Sequence, residues 1–213
     1  MKVAVILSGE LRCFEDCYPS LVSNILDYND CDVFLHMYSD DDTERAKELY
    51  EPRSTIVENK KDVTVDIDPI CRVNKPSEIE PEGIFYQWRN INKAFGIVPN
   101  TYDCVLKTRY DVKYTNPIKL DMFNMNSLNV PIGGDWRGGL FDMMAFGSYD
   151  VMKKYCSLID NINSFVKKGI PCHSELLNSY NMRETNIERF DYTVLLRRKF
   201  DRPHIEDRVF TLR

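Results

Sequence analysis

The chain has 213 residues, 43% of them hydrophobic and 29% charged, and a formal net charge of −5. That length can bury a sizeable core, and the apolar share is too high for a disordered segment. The acidic balance argues against nucleic acid or an anionic membrane as the main partner, so any anion-binding site has to be a local basic pocket.

Residues 2–7 (KVAVIL) open the chain as a continuous apolar run, as expected of a central strand covered on both faces. The run is too short for a secretory leader or a membrane span, so a cytoplasmic protein is expected. It breaks at Ser8-Gly9-Glu10-Leu11-Arg12, where Gly9 lets backbone approach a ligand and Arg12 supplies a charge suited to phosphate. A plain strand-to-helix turn accounts for Gly9 equally well. Neither G-x-G-x-x-G nor a phosphate-binding loop ending in Gly-Lys-Ser/Thr is present.

Residues 16–28 read as a helix with Leu21, Ile25 and Tyr28 on one face. Residues 31–37 read as a second strand with His36 at its C-terminal end, where open α/β sheets bind ligands. The acidic run at 40–44 precedes a helix over 43–50, and the helix dipole accounts for it without a metal. Residues 55–58 and 63–67 are strand-like. Then Ile84, Phe85, Trp88, Ile91 and Phe95 recur at helical spacing up to Gly96, leaving Gln87, Arg89, Asn92 and Lys93 on other faces.

The stretch at 102–114, YDCVLKTRYDVKY, carries the densest chemistry. After the apolar Cys104-Val105-Leu106, period-two alternation sends Lys107, Arg109, Asp111 and Lys113 to one side of a strand. Three cations around one carboxylate suit a diphosphate held by Lys or Arg and a metal held by the carboxylate. The competing reading is a solvated edge strand with surface ion pairs.

Beyond it, 127–132 is a short strand, and Gly133 to Gly139 (GGDWRGG) has the composition of a closely approached loop or lid. Residues 141–147 form another apolar segment, which carries Asp142. Ser148 is a good N-cap for a helix ended by Gly169 and Pro171, and a further helix begins near His173 and Glu175. Residues 192–196 are strand-like, and His204 lies in a charged tail. Seven cysteines without a C-x-x-C pair read as reduced thiols; Cys13 and Cys17 near His36 lack a fourth ligand for zinc. The order β-α-β-α-β-α-β predicts one α/β domain over 1–213, with a mostly parallel sheet, helices on both faces and room for an antiparallel strand late in the chain. The ligand belongs over the strand C-termini, where Gly9, His36 and Asp111 converge.

Several segments in this order resemble a known family. SGELR, DVFLHMYSD, YQWRNINKAF and YDCVLKTRYDV are similar to nucleotide-sugar glycosyltransferases of the GT-A fold, and MMAFGSYDVM and HSELLNSY extend the likeness over nearly the whole chain. The likeness includes the N-terminal glycosyltransferase domain of a chlorovirus capsid-glycan protein. It implies a single GT-A (Rossmann-like) domain, with a nucleotide-binding part over about 1–115 and an acceptor-side part over about 116–213. It also implies a hexose or deoxyhexose, of glucose or rhamnose type, moved from a UDP-sugar to a glycan acceptor, as in viral capsid glycosylation in a host cytoplasm.

The family's D-x-D motif corresponds to Arg109-Tyr110-Asp111. Only Asp111 therefore carries over as a ligand of Mn²⁺ or Mg²⁺, and Arg109 is left to bind phosphate. By the same likeness Ser8, Gly9 and Arg12 fall in the nucleotide pocket with His36 close by, and His204 is the late candidate for a further metal ligand. Asp142 or Glu175 would take the acceptor proton or steady the oxocarbenium-like centre. Two rivals remain: a nucleotidyltransferase that releases pyrophosphate, and a non-catalytic nucleotide- or carbohydrate-binding module.

Overall fold

The computed structural model of the protein describes residues 1–133, 135–199 and 205–209, with the backbone alone at 198, 199 and 205–209; His204 lies outside the described residues. In chain order come β1 (Lys2–Gly9), α1 (Phe14–Asn24), β2 (Asp30–Tyr38), α2 (Thr43–Tyr50), β3 (Ser54–Glu58), α3 (Ile70–Val73), α4 (Pro81–Gly96) and β4 (Cys104–Thr108). They are followed by β5 (Val112–Tyr114), β6 (Leu128–Pro131), β7 (Ala145–Gly147), α5 (Tyr149–Cys156), α6 (Ile162–Lys167), α7 (Ser174–Asn181), β8 (Ile187–Phe190), β9 (Val194–Lys199) and β10 (Ile205–Val209).

Seven strands make the central sheet in the order β3-β2-β1-β4-β7-β6-β8. The first four are parallel to one another; β7 runs antiparallel to β4 and β6, and β6 is parallel to β8. The expected α/β class, parallel sheet and late antiparallel strand are all present. Among the described residues no helix is long and apolar enough to cross a membrane.

The apolar run of β1 works as a strand covered twice. Ala4 and Ile6 join the core beneath α4, while Val3, Val5 and Leu7 join the opposite core with α1 and α2. In α4, Ile84, Phe85, Trp88, Ile91, Ala94 and Phe95 are buried, and Pro81 occupies the first turn, where its missing N–H costs nothing. None of the seven cysteines is in a disulfide, and all but Cys31 are buried.

Four local expectations fail. Residues 63–67 form no strand: Val63 is buried and Val65 and Ile67 pack against the α4-side core without pairing to β3 at the sheet edge. The helix after Ser148 breaks into α5 and α6 around a 3₁₀ turn at Ser157–Asn161, which turns Leu158 and Ile162 inward. Helix α1 stops at Asn24, so Leu21 and Ile25 are buried but Tyr28 is exposed.

The fourth concerns 107–113, which is not one extended strand. β4 ends at Thr108, the chain turns, and β5 joins β9 in a separate three-stranded sheet. The turn is fixed by Tyr110, whose ring is buried and whose hydroxyl donates to the His36 carbonyl oxygen at 3.0 Å. Lys113 is thereby carried away from Lys107, Arg109 and Asp111.

Candidate functional site

Strand order reverses between β1 and β4: β2 and β3 extend to one side, β4 to the other. Ligands of open α/β sheets bind at such a switch point, beyond the strand C-termini. A cavity of about 210 Å³ opens there. Ser8, Gly9, Glu10 and Arg12 come from the end of β1, and Lys107, Arg109, Tyr110 and Asp111 from the end of β4. One face of α4 adds Gln87 and Asn90, and Tyr38 and Lys60 close the far wall.

The turn after β1 needs its glycine. Gly9 has φ of +108°, which L side chains rarely adopt, and Arg12 itself is left-handed at +45°. This conformation carries Arg12 back over the sheet, where its Nη1 donates to Asp111 Oδ2 at 3.0 Å and its Nε to Glu10 Oε2 at 3.3 Å. Arg109 grips the same carboxylate as a fork, Nε to Oδ1 at 2.8 Å and Nη2 to Oδ2 at 2.9 Å. Burial would raise the Asp111 pKa, but the two guanidiniums outweigh it and hold the carboxyl below its ordinary range.

Lys107 is the least expected member. It is 1% exposed, and burial pushes its pKa down to about 8 against the pull of Asp142. Its ammonium donates to the Asp142 carbonyl oxygen, across the pairing of β4 with β7. Behind the α4 wall, the half-buried Asp142 carboxylate accepts from Gln87 Nε2 at 2.8 Å and from the Ser174 hydroxyl at 2.5 Å. That hydroxyl in turn accepts from Trp88 Nε1 at 2.9 Å. Burial opposes ionisation of Asp142 too, but Lys107 and Ser174 together keep its pKa below normal.

Glu175, next along α7, meets the Gly-rich loop. Its carboxylate accepts the Trp136 backbone N–H, and burial pushes its pKa up to about 7. The loop is closely approached: a Cβ on Gly139 would lie 2.6 Å from that of Glu175. Asp135 caps the Phe141 N–H at 2.8 Å and pairs with Arg189, while Trp136 stacks on His173 at 4.2 Å. A second hollow of about 380 Å³ lies beside it, lined by Trp136, Arg137, Lys75, Glu78 and Pro171 among others.

The structure thus gathers Ser8, Gly9, Arg12, Arg109 and Asp111 around one cavity. It does not bring His36 there. His36 is fully buried, bonds Glu58 through Nε2 at 2.7 Å, and leaves Nδ1 without a partner among the described residues. Its ring turns toward Glu58, which Arg89 also holds, and Tyr38 rather than His36 reaches the cavity wall, so the nucleotide pocket expected around Ser8, Gly9 and Arg12 lacks His36. Asp142 and Glu175 do not line the cavity either; Asp142 sits one side chain behind it through Gln87, and Glu175 follows Ser174 on α7. Of the polar faces of α4, Gln87 reaches the cavity, whereas Arg89 is spent on a bidentate pair with Glu58 and Asn92 on the Cys156 carbonyl. Glu10, Tyr38, Lys60 and Asn90 were not singled out by the sequence. Only Asn90 gave a signal, lying three residues from Gln87 on the same helix face.

Among the described residues no group of three or more His, Cys, Asp or Glu side chains could hold a metal. The carboxylates that line the cavity are Glu10, paired with Arg12 and Lys60, and Asp111. Asp111 Oδ1 accepts a single hydrogen bond, so the carboxylate keeps acceptor capacity. That donor set suits a divalent cation bound through one carboxylate, with the remaining ligands drawn from a diphosphate and water. Compared with protein-family models and with curated protein sequences, the chain gives no match.

Proposed function

We propose that the protein is a glycosyltransferase of the GT-A type that transfers a hexose or deoxyhexose from a UDP-sugar to a glycan, as in viral capsid glycosylation. The observation that carries this reading is the charge of the cavity. Four cations (Arg12, Lys60, Lys107, Arg109) face two carboxylates (Glu10, Asp111), a net positive hollow in a chain of net charge −5. Such a hollow at a sheet switch point favours a compact polyanion, and a nucleoside diphosphate fits that description. The mixed sheet order, with β7 antiparallel beside β4, is compatible with the proposed fold.

In this reading the N-terminal turn at Ser8 and Gly9 lets backbone approach the nucleotide, and Arg12 and Arg109 lie alongside the diphosphate. Asp111 would hold a Mn²⁺ or Mg²⁺ ion, which supplies Lewis-acid stabilisation of the leaving diphosphate. As the bond to the sugar breaks, negative charge grows on the phosphate oxygens, and cations fixed beforehand lower that barrier. Asp142, held by Gln87 and Ser174, positions the α4 wall of the cavity. Glu175, with its pKa near 7, is poised to accept a proton from a sugar hydroxyl entering beside Trp136.

The test is incubation of the protein with a panel of UDP-sugars and Mn²⁺, with free UDP as the readout. Slow release of UDP, accelerated by simple glycoside acceptors, is expected. Release of pyrophosphate from a nucleoside triphosphate and a sugar phosphate would establish a nucleotidyltransferase instead. Tight UDP binding without any turnover would leave a binding module.

A further inference from the structure

The cations of the cavity are not equivalent. Arg109 places its fork on Asp111, Arg12 lies between Asp111 and Glu10, and Lys60 pairs with Glu10. Lys107 differs. It is 1% exposed, and its one hydrogen bond among the described residues goes to a backbone carbonyl oxygen, that of Asp142. An ammonium has three donors, so the remainder are unspent in a place where water has little access. The carboxylate nearest to it in charge, Asp142, already takes hydrogen bonds from Gln87 and Ser174. A buried cation so placed is costly unless an anion joins it.

We propose that Lys107 binds the terminal phosphate of the nucleotide and makes the cavity select a diphosphate over a monophosphate. The identity of the anion rests on the nucleotide-sugar reading; the anion site itself rests on the placement of Lys107. Lys107 lines the cavity at the end of β4, on the sheet face covered by α4, since Val105 two residues earlier packs in the core beneath that helix. Arg12 approaches from the other strand end and is 40% exposed at its side chain, so the two mark the inner and outer ends of an anion path. The group farthest inside meets the last phosphate, the one that bears the sugar. The ionisable groups facing Lys107 are Asp142, Arg109, Cys156 and Asp111, and the attraction of Asp142 is the largest of these influences.

A purely structural lysine would instead tie β4 to the segment at Asp142. Its loss would then loosen the site for every ligand alike. Calorimetry of UDP, UMP and inorganic pyrophosphate, each with Mg²⁺, separates the two roles in the wild type, Lys107→Met and Lys107→Gln. Both variants should weaken UDP and pyrophosphate by about 10- to 100-fold, the worth of one charge-assisted hydrogen bond, and UMP by less than about threefold. In the wild type, labelled-lysine NMR should show one buried ammonium that shifts with UDP and not with UMP, a readout that needs no variant to fold. Equal losses for UDP and UMP, or an ammonium indifferent to UDP, would overturn the assignment. Pyrophosphate binding without UDP binding would refute the nucleotide-sugar reading and leave the anion site standing; wild type that binds neither refutes both.

Discussion

Asp111→Asn replaces the carboxylate on which two arginines converge. Asp111 accepts three charge-assisted bonds, at 2.8 and 2.9 Å from Arg109 and 3.0 Å from Arg12. Removing one partner of a buried ion pair costs about 3–5 kcal/mol, because the other charge is stranded. Arg12 is 40% exposed and already bonded to Glu10, so it can return to water, and Arg109 bears most of the cost. The expected loss is therefore about 3 kcal/mol, at the low end of that range, read from urea unfolding at pH 7. The folded-state pKa of Asp111 is depressed, so its contribution is fully present above the unfolded value near 3.9 and fades as pH falls through the folded value. The difference between variant and wild type should shrink accordingly below about pH 4. Ligand binding supplies a second sign. The variant cavity gains positive charge, so UDP in chelator should bind at least as tightly as in wild type, while Mn²⁺ should no longer add affinity. A variant as stable as wild type that keeps its Mn²⁺ increment would refute this account of the site.

Three further outcomes follow from the Gly-rich loop and α7. Gly139→Ala drives a methyl to within 2.6–2.9 Å of the Glu175 side chain and backbone, and should cost about 1–3 kcal/mol in thermal or urea unfolding. Glu175 has a raised folded pKa of about 7, so its ionisation weakens the fold as pH rises from its unfolded value toward 7; Glu175→Gln should melt higher than wild type at pH 8 and alike at pH 4. Ser174→Ala removes the acceptor of the buried Trp88 N–H and a donor to Asp142, and should cost about 1–3 kcal/mol with a change in Trp88 fluorescence.

The part of the fold nearest β1 was legible because its patterns are local. A doubly apolar strand, an amphipathic helix running from Ile84 up to Gly96, and α2 between Thr43 and Tyr50 all follow from periodicity and caps. What failed depended on distant partners. Period-two alternation through Lys113 looked like one strand, but the burial of Tyr110 against Tyr50, its hydroxyl on the His36 carbonyl oxygen, and the pairing of β5 with β9 turn the chain there. The bond of His36 to Glu58 of β3 takes it out of the site, and no count of charges along the sequence could show that. Lys107 was visible as a cation near Asp111; its isolation from solvent depends on β7 lying beside β4, a pairing with no signature in either segment. The Asp142 carboxylate takes hydrogen bonds from Gln87 and Ser174, neutral groups on two helices distant in sequence, a link that no local pattern announces.

The switch of the chain from one sheet to the other at Asp111 also sets a time order on assembly. The Asp111 carbonyl oxygen accepts the backbone N–H of Arg197 at 2.8 Å, and β5 is paired along its length to β9. During synthesis, the strands that carry Ser8, Arg12, Lys107 and Arg109 can dock long before residues 194–199 exist, since their partners β1, β2 and β4 are early in the chain. The turn that aims Asp111 is already anchored by then at Tyr110, on the His36 carbonyl oxygen, and only its exit into β5 waits for β9. A nascent chain would gather the charges of the cavity together and fix the path beyond Asp111 last, so the pocket passes through a stage in which it is fully charged but less firmly shaped than the finished one.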